Sequence, residues 1–556
     1  MNLKAIGSLT SILSKNSEMQ LPEKTGYKVL AFIAVSMIMI PCTVIVGFIS
    51  YVMTEALLEA GSPGGGMLFE LQILSAFSMI FGILIIFSVM FFSSDREHFV
   101  TLPIPSHHLM MGKFIYAYVA ESIMEFLILI AVFVGYMIAI WKNVGITAAL
   151  HPVSLIASIL GVVLVPLVPM IYCAIFSLIL MACLSGVKST KVFYRTSTFF
   201  LLAFGALFVY SLRGIGEVNM ENYVESLGSG ENLLLKTLNI IFFPVPWLSE
   251  AISRNSILYL LLYILGNVIL IVILYFLGMA LYQRGLYTAA ALGSAKKAEI
   301  KSKDISYSSQ FKASLMKELK VILRTKAFSG NCAFINILWP VGAFMLFHFA
   351  GKKEGMLSFI RMYRNGMSRA EIILTIVMIS VAFIATALNS LASTAFTREG
   401  QHLSLIKFIP VPYSTQMYAK AFVSFMFTFP ALVLTDIIVC CYMKTPVYIA
   451  VLYGIFMLLA HIIAVAVGMM MDSSAPYVVW DDEYSALRGN LNTFFNMAVM
   501  MLLSVGVIVL GVIMYELLKL PVIAFYIVLF LILAATGVRM LLIAPKKIVE
   551  NMAKMS

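Results

Sequence analysis

Residues 397–420, TREGQHLSLIKFIPVPYSTQMYAK, have a near-relative at 94–113, SDREHFVTLPIPSHHLMMGK. Each copy opens on an Arg-Glu pair (Arg96-Glu97, Arg398-Glu399) and passes through a Pro-x-Pro (Pro103/Pro105, Pro410/Pro412). Each then reaches a lysine, Lys113 or Lys420, where an apolar run begins. The prolines and lysines of the two copies lie 307 positions apart, and the first copy is five residues shorter between Arg-Glu and proline. A polar, proline-bearing loop used twice between apolar runs reads as an internal duplication built around that loop.

The composition fixes what lies on either side. Of 556 residues, 61% are hydrophobic and 12% charged, with a mean hydropathy of +0.98, far from the balance of a soluble domain. The apolar runs reach or exceed the roughly 20 residues a helix needs to cross the hydrocarbon core, and they lack the alternation of barrel strands. The expected fold class is an all-α polytopic membrane protein. No cleavable signal peptide is expected in 1–26, which is polar and basic. The six cysteines, Cys42, Cys173, Cys183, Cys332, Cys440 and Cys441, fall in or beside apolar runs without metal-ligand spacing and read as packing residues. The net charge of +11 reads as the Lys/Arg bias of cytoplasmic loops rather than as a nucleic-acid surface.

About twelve transmembrane helices follow in order. The first six are expected near 27–53, 67–92, 113–141, 153–184, 195–211 and 256–282, and the second six near 329–350, 371–396, 420–442, 446–471, 495–516 and 521–543. Pro166 and Pro169 predict an interruption of the fourth span. The second part of 212–255, LNIIFFPVPWLSEAI, is too short and too broken by Pro244 and Pro246 to cross, and dips into the membrane or lies on it. Interfacial amphipathic helices are expected before spans one and seven. In the second of these, Leu315, Leu319, Ile322 and Leu323 form one side, with basic residues opposite. The chain thus divides into a first transmembrane half (1–282), a basic cytoplasmic linker with its interfacial helix (283–328), and a second half with a basic tail (329–556). Most of the 38 Lys and Arg fall on the side of the termini, which places both termini, and both proline loops, in the cytoplasm. The loop 351–370, with Lys352, Lys353, Arg361, Arg364 and Arg369, runs against that count.

Together these features resemble the ABC transporter permeases of the second exporter type, in the subgroup with two six-helix halves fused in one chain. LPIP at 102–105 with Lys113, and IPVP at 409–412 with Lys420, are similar to the coupling-helix loop between the second and third spans of each half. Lys317-Glu318-Leu319-Lys320 with Arg324 matches the amphipathic helix before the second half. Asp472, Pro476, Trp480, Glu483 and Asn490 match a loop of that half, and Pro244 with Trp247 a segment before the sixth span. The resemblance implies a bacterial cell-membrane permease that moves a hydrophobic, lipid-like or peptide substrate outward. It also implies that ABC ATPase subunits, as two identical copies, are the partners, alongside membrane lipid. ATP and Mg would be bound by those subunits and no cofactor by this chain, which has no phosphate loop; LSGVKST at 184–190 lacks the first glycine and the Gly-Lys pair of one. The resemblance gives no catalytic and no metal residue here, and implies ATPase coupling for Arg96, Glu97, Pro103, Pro105, Lys113, Arg398, Glu399, Pro410, Pro412 and Lys420.

Glu121 and Glu125 share one face of the third span and, with Asp436 in the ninth, either line a cavity for a cationic substrate or pair with a basic partner in the bundle. His348 and His461 read as hydrogen-bonded packing residues. The rival readings are an ion-coupled secondary transporter, which would place acidic or broken helices at corresponding positions of both halves, and a non-transporting membrane regulator that binds an ATPase.

Overall fold

A computed structural model describes most of residues 25–92, 105–183, 232–292, 308–350 and 354–554. The protein is an all-α polytopic membrane protein: among the described residues there is no strand, and ten helices, or eleven if a bent pair is counted as one span, are long and apolar enough to cross a bilayer. The fifth expected span, 195–211, lies mostly outside the described residues, and LSGVKST at 184–190 wholly so. The chain folds as two compact units, one of residues 1–17 and 39–299 and the other of 18–38 and 300–556.

The first unit takes most of α1 (Thr25–Glu59), then α2 (Gly64–Phe87), α3 (Ser106–Asn143), α4 (Pro152–Leu164), α5 (Leu167–Cys183), the short α6 (Leu233–Ile241) and α7 (Pro244–Ser253), and α8 (Ile257–Leu292). The fourth span breaks where the sequence predicts, between α4 and α5 at Pro166, because a proline cannot donate to the helical ladder. Pro169 is tolerated in the first turn of α5, where the backbone N–H has no intrahelical partner in any case. The helices α6 and α7, neither long enough to cross, pack on α2, and α7 also on α4 and α8. The Asn232 side chain caps α6 by accepting from Leu235 N at 3.2 Å.

The second unit holds α9 (Gln310–Arg324), α10 (Lys326–His348, with π and 3₁₀ turns), α11 (Glu354–Arg364), α12 (Ser368–Leu388), a 3₁₀ stretch (Thr397–Lys407), α13 (Tyr413–Met443), α14 (Val447–Ser474), α15 (Leu491–Leu517) and α16 (Val522–Lys554). Pairing follows one scheme in both units. The helix after the first span packs on the fourth (α2 on α5, α12 on α14). In the same way α5 packs on α8 and α14 on α16, and α3 meets α8 as α13 meets α16.

The two Pro-x-Pro motifs share a geometry as well. Pro105 and Pro412 are the residues that precede α3 and α13, with φ of −56° and −54°. Proline's fixed φ suits that place. Both helices therefore start well before the lysines that mark the apolar runs, and Lys113 and Lys420 sit about two turns inside, both buried.

Two arginines of the segment 351–370 have local partners. Arg364 at the end of α11 donates from Nη2 to Tyr442 O at 2.6 Å and from Nε to Met443 O at 3.4 Å. A cation is thereby set against the carbonyl end of α13, where the helix dipole favours it. Arg369 lies 3.5 Å from Glu516. Arg364 and Arg369 thus cap and pair helices, an outlet that a count of charges does not register.

Helix contact in the first unit depends on small residues. A Cβ added at Gly135 would lie 2.2 Å from Gly47 O, so α1 and α3 touch backbone to backbone, an approach that small residues permit between membrane helices. Ser50 Oγ reinforces it by donating to Val132 O at 2.9 Å. Gly135→Val is expected to lower the thermal stability of the detergent-solubilised protein by about 1–3 kcal/mol. Gly506→Ala, at a position with open space, is expected to leave the melting temperature unchanged, and thermal denaturation of the two variants side by side checks both.

Candidate functional site

The second proline loop is anchored at its base by buried charge. Lys420, two turns into α13, has a side chain only 2% exposed. Its ammonium donates to Glu318 Oε1 at 2.6 Å, to Glu399 Oε1 at 2.7 Å and to Ala395 O at 2.8 Å. An ammonium has three N–H donors, and all three are satisfied. Glu399 also accepts from Lys317 Nζ at 2.5 Å. Burial raises the Glu399 carboxyl, but the Lys420 and Lys317 ammoniums outweigh it and hold that carboxyl well below the usual carboxylate range.

The Arg-Glu pair splits its work: Arg398, buried, donates from Nη1 to Leu391 O at 2.8 Å and to Thr394 Oγ1 at 2.7 Å, with Nη2 3.9 Å from Glu318 Oε2. The carboxylates of Glu318 and Glu399 thus stand among the cations of Lys317, Arg398 and Lys420.

Glu318 departs from the sequence reading. The amphipathic helix α9, capped by Ser309 Oγ, buries Glu318 and Ile322, with Leu315 and Leu319 half-buried, while Leu323 stays exposed. The buried stripe is rotated relative to the expected apolar side because α9 packs on α13 and Lys420 there requires an anion. Lys320 and Arg324 are exposed, and Lys317 is partly so.

A second ring, of hydrogen bonds to neutral partners, closes the other side of the loop. Asp472, at the end of α14, accepts from Phe396 N at 2.6 Å, Thr397 N at 3.1 Å and Thr397 Oγ1 at 2.5 Å. Thr397 Oγ1 in turn accepts from Tyr477 N and from Asn490 Nδ2, both at 3.1 Å. Trp480 donates from Nε1 to Thr397 O at 3.0 Å. Its indole also lies across Gly400, where φ is 57° and an added Cβ would come within 2.7 Å of the ring; only glycine suits that backbone and that contact. Pro476 is half-buried on the path between Asp472 and Trp480, and Glu483 is exposed in a turn.

Residues widely separated in sequence, from 317 to 490, therefore meet at one place. Thr397 is its centre and was not singled out in the sequence. The signal was a run of small polar residues, Asn389, Ser390, Ser393, Thr394 and Thr397, at the end of an apolar span. Asn389 joins α10, α12 and α13 by donating to Asn336 Oδ1 at 3.1 Å and Thr428 Oγ1 at 2.8 Å.

Of the first copy, Arg96, Glu97 and Pro103 lie outside the described residues, while Pro105 precedes α3 and Lys113 is buried. The intramembrane acids stand apart. Glu125 on α3 accepts from Ser78 Oγ of α2 at 2.5 Å, Glu121 is half-buried one turn earlier, and Asp436 accepts from Cys440 Sγ at 3.3 Å within α13. Pro410 is exposed, and Pro412 leads α13. His348 stacks on Phe344 with ring centroids 5.5 Å apart. Among the described residues no group of three His, Cys, Asp or Glu could hold a metal ion. Comparison with family models, with curated proteins and with solved structures finds no match for this chain.

Removing Lys420 would leave two carboxylates buried without their shared cation. Lys420→Met is expected to destabilise the protein by about 3–5 kcal/mol, seen as a large fall in melting temperature that Lys317→Met, at a partly exposed position, does not match. Because the Glu399 carboxyl is depressed in the folded state, its contribution is present above the unfolded carboxylate value of about 4.3 and is lost as pH falls through the folded value. Glu399→Gln is thus expected to melt below the wild type at pH 7, with the gap narrowing as the pH drops below about 4. A pH series of melting curves for the two proteins reads this.

Proposed function

We propose that the chain is the membrane-spanning permease subunit of an ATP-driven ABC exporter, with twelve spans in two parallel six-helix repeats. Separately encoded ATPase subunits dock beneath its cytoplasmic loops and supply the energy. One observation carries this reading. The Thr397–Lys407 segment and the residues after it expose Leu405, Phe408 and Ile409, with Phe408 80% exposed. They stand on a base fixed by the buried Lys420, Glu318 and Glu399 contacts. Apolar side chains held out from a rigid polar base suit insertion into a pocket of a partner protein. Lys407, beside them, is exposed as well.

The repeat is supported by the common pairing scheme of the two units and by the prolines that start α3 and α13. In this reading the two loops are levers. Closure of an ATPase dimer on ATP and Mg pushes the 3₁₀ segment, and the ionic node passes the displacement to α9 and α13. The substrate is hydrophobic, lipid-like or a peptide, and moves outward across a bacterial cell membrane from a chain with both termini in the cytoplasm.

The test is co-purification with the ATPase encoded beside the chain, followed by measurement of ATPase stimulation in vesicles. Phe408→Asp together with Leu405→Asp is expected to weaken ATPase binding at least about thirty-fold and to abolish stimulation, while the melting temperature stays within a degree or two because both residues are exposed. Undiminished binding and stimulation in the folded double variant would remove this loop from the interface.

A further inference from the structure

At the end of the second unit away from its proline loop, three connections meet: 351–371 ahead of α12, 443–446 between α13 and α14, and 516–521 between α15 and α16. Two contacts tie them together. Arg364 reaches the carbonyls of Tyr442 and Met443, and Arg369 pairs with Glu516. The three connections carry seven Lys and Arg against three Glu. Arg364 and Arg369 are engaged in those contacts. Arg361, one turn before Arg364 on α11, is exposed, as are Lys444 and Lys519, and the charged groups of these three have no partner among the described residues.

Both lysines occupy a backbone conformation that lysine rarely adopts. φ is 57° at Lys444 and 49° at Lys519, in the left-handed region that favours glycine and asparagine. In the first unit the positive-φ positions ahead of α4 and α8 are Gly145 at 127° and Asn255 at 52°, residues that suit the region. The carbonyl end of a helix favours a cation, but a lysine anywhere in the last turn would meet that need with ordinary backbone angles. A residue held against its backbone preference points to a use for its side chain. At both turns that side chain ends in a free ammonium.

The neighbours of these ammoniums indicate what they meet. Val447 and Tyr448, in the first turn of α14, are 79% and 75% exposed, and Leu517, two residues before Lys519, is 71% exposed. They sit on helices long and apolar enough to span the bilayer. Cations directly beside exposed apolar side chains and a tyrosine lie at the boundary between acyl chains and headgroups. Helix α11, too short to cross, half-buries Met356, Leu357 and Phe359 and exposes Arg361, the pattern of a helix lying in that boundary. A soluble anion would pair with the cations and leave the apolar side chains without a partner. A lipid with a net negative headgroup answers to both.

We propose that this rim binds an anionic phospholipid of the adjoining leaflet, its headgroup held by Arg361, Lys444 and Lys519 and its acyl chains lying along the spans that start there. Binding here requires neither an ATPase nor a coupling loop, so the site is independent of the transport reading.

The experiment places the full chain in nanodiscs of phosphatidylglycerol and phosphatidylcholine in equal amounts, with a trace of one or the other lipid carrying a diazirine near its glycerol. Photolabel is mapped by mass spectrometry on the peptides that hold 357–369, 442–448 and 515–523. Labelling by the phosphatidylglycerol probe is expected to exceed that by the phosphatidylcholine probe about 5- to 150-fold, from one to three cations engaged. Arg361→Gln with Lys444→Asn and Lys519→Asn is expected to erase the preference. Asparagine suits the left-handed backbone and all three positions are exposed, so the melting temperature of the triple variant is expected to match or exceed that of the wild type. Should the triple variant not purify folded, Lys444→Asn alone takes its place, with an expected loss of about five-fold in preference. Equal labelling by the two probes would overturn the proposal, as would a preference unchanged in the variant. Displacement of the phosphatidylglycerol label by soluble glycerol phosphate would assign the cations to a soluble anion and overturn it as well.

Discussion

A lysine ammonium shared by two carboxylates, out of reach of water, is the constraint on which the second half is built. Lys420 could sit elsewhere along α13 at no cost only if its position were solvated; at 2% exposure its charge needs anions within bonding distance. One anion comes from α9 and the other from the 3₁₀ segment, so the amphipathic helix and the loop are both placed by the same cation. The net stabilisation of such a buried pair is small, because desolvation offsets most of the attraction. What it supplies is discrimination: any arrangement that separates α9, the loop and α13 strands a charge.

Asp472 repeats the logic with hydrogen bonds to neutral partners. Its carboxylate takes two backbone N–H groups and the Thr397 hydroxyl, and Asn490 and Tyr477 add to the same threonine. The loop is thereby gripped from the α9/α13 side through charge and from the α14/α15 side through amides and a hydroxyl. Gly400 sits between the two grips, and Trp480 covers it. A segment clamped in this way has few internal degrees of freedom, so on the proposed reading a push on its exposed tip moves four helices instead of bending the loop.

The sequence displayed the parts that follow from bulk properties and from proline. Helix positions come from runs of apolar residues, and the break at Pro166 from a missing N–H, both local causes. The burial of Glu318 does not come from anything local. Its neighbours Lys317 and Lys320 mark a solvated helix face, and only the arrival of Lys420, about a hundred positions away in sequence, turns residue 318 inward. Helix starts were displaced for a related reason. Hydropathy marks where a chain enters lipid, whereas α3 and α13 begin at their prolines, in the polar layer, before any apolar run. Thr397 was passed over because a threonine beside an Arg-Glu pair has nothing distinctive until three acceptors and donors from other helices are brought to its hydroxyl.

The two copies of the loop differ in a way that their shared geometry makes more pointed. Both lysines are buried about two turns past a helix-starting proline. The difference is confined to the connection: from Glu399 to Pro410 the chain has five more residues than from Glu97 to Pro103. In the second half that interval is where Gly400 turns beneath Trp480 and where Leu405, Phe408 and Ile409 are held out. A connection five residues shorter cannot follow the same path from an Arg-Glu pair to its proline. If both loops meet identical ATPase subunits, as proposed, connections of unequal length make the two contacts unequal.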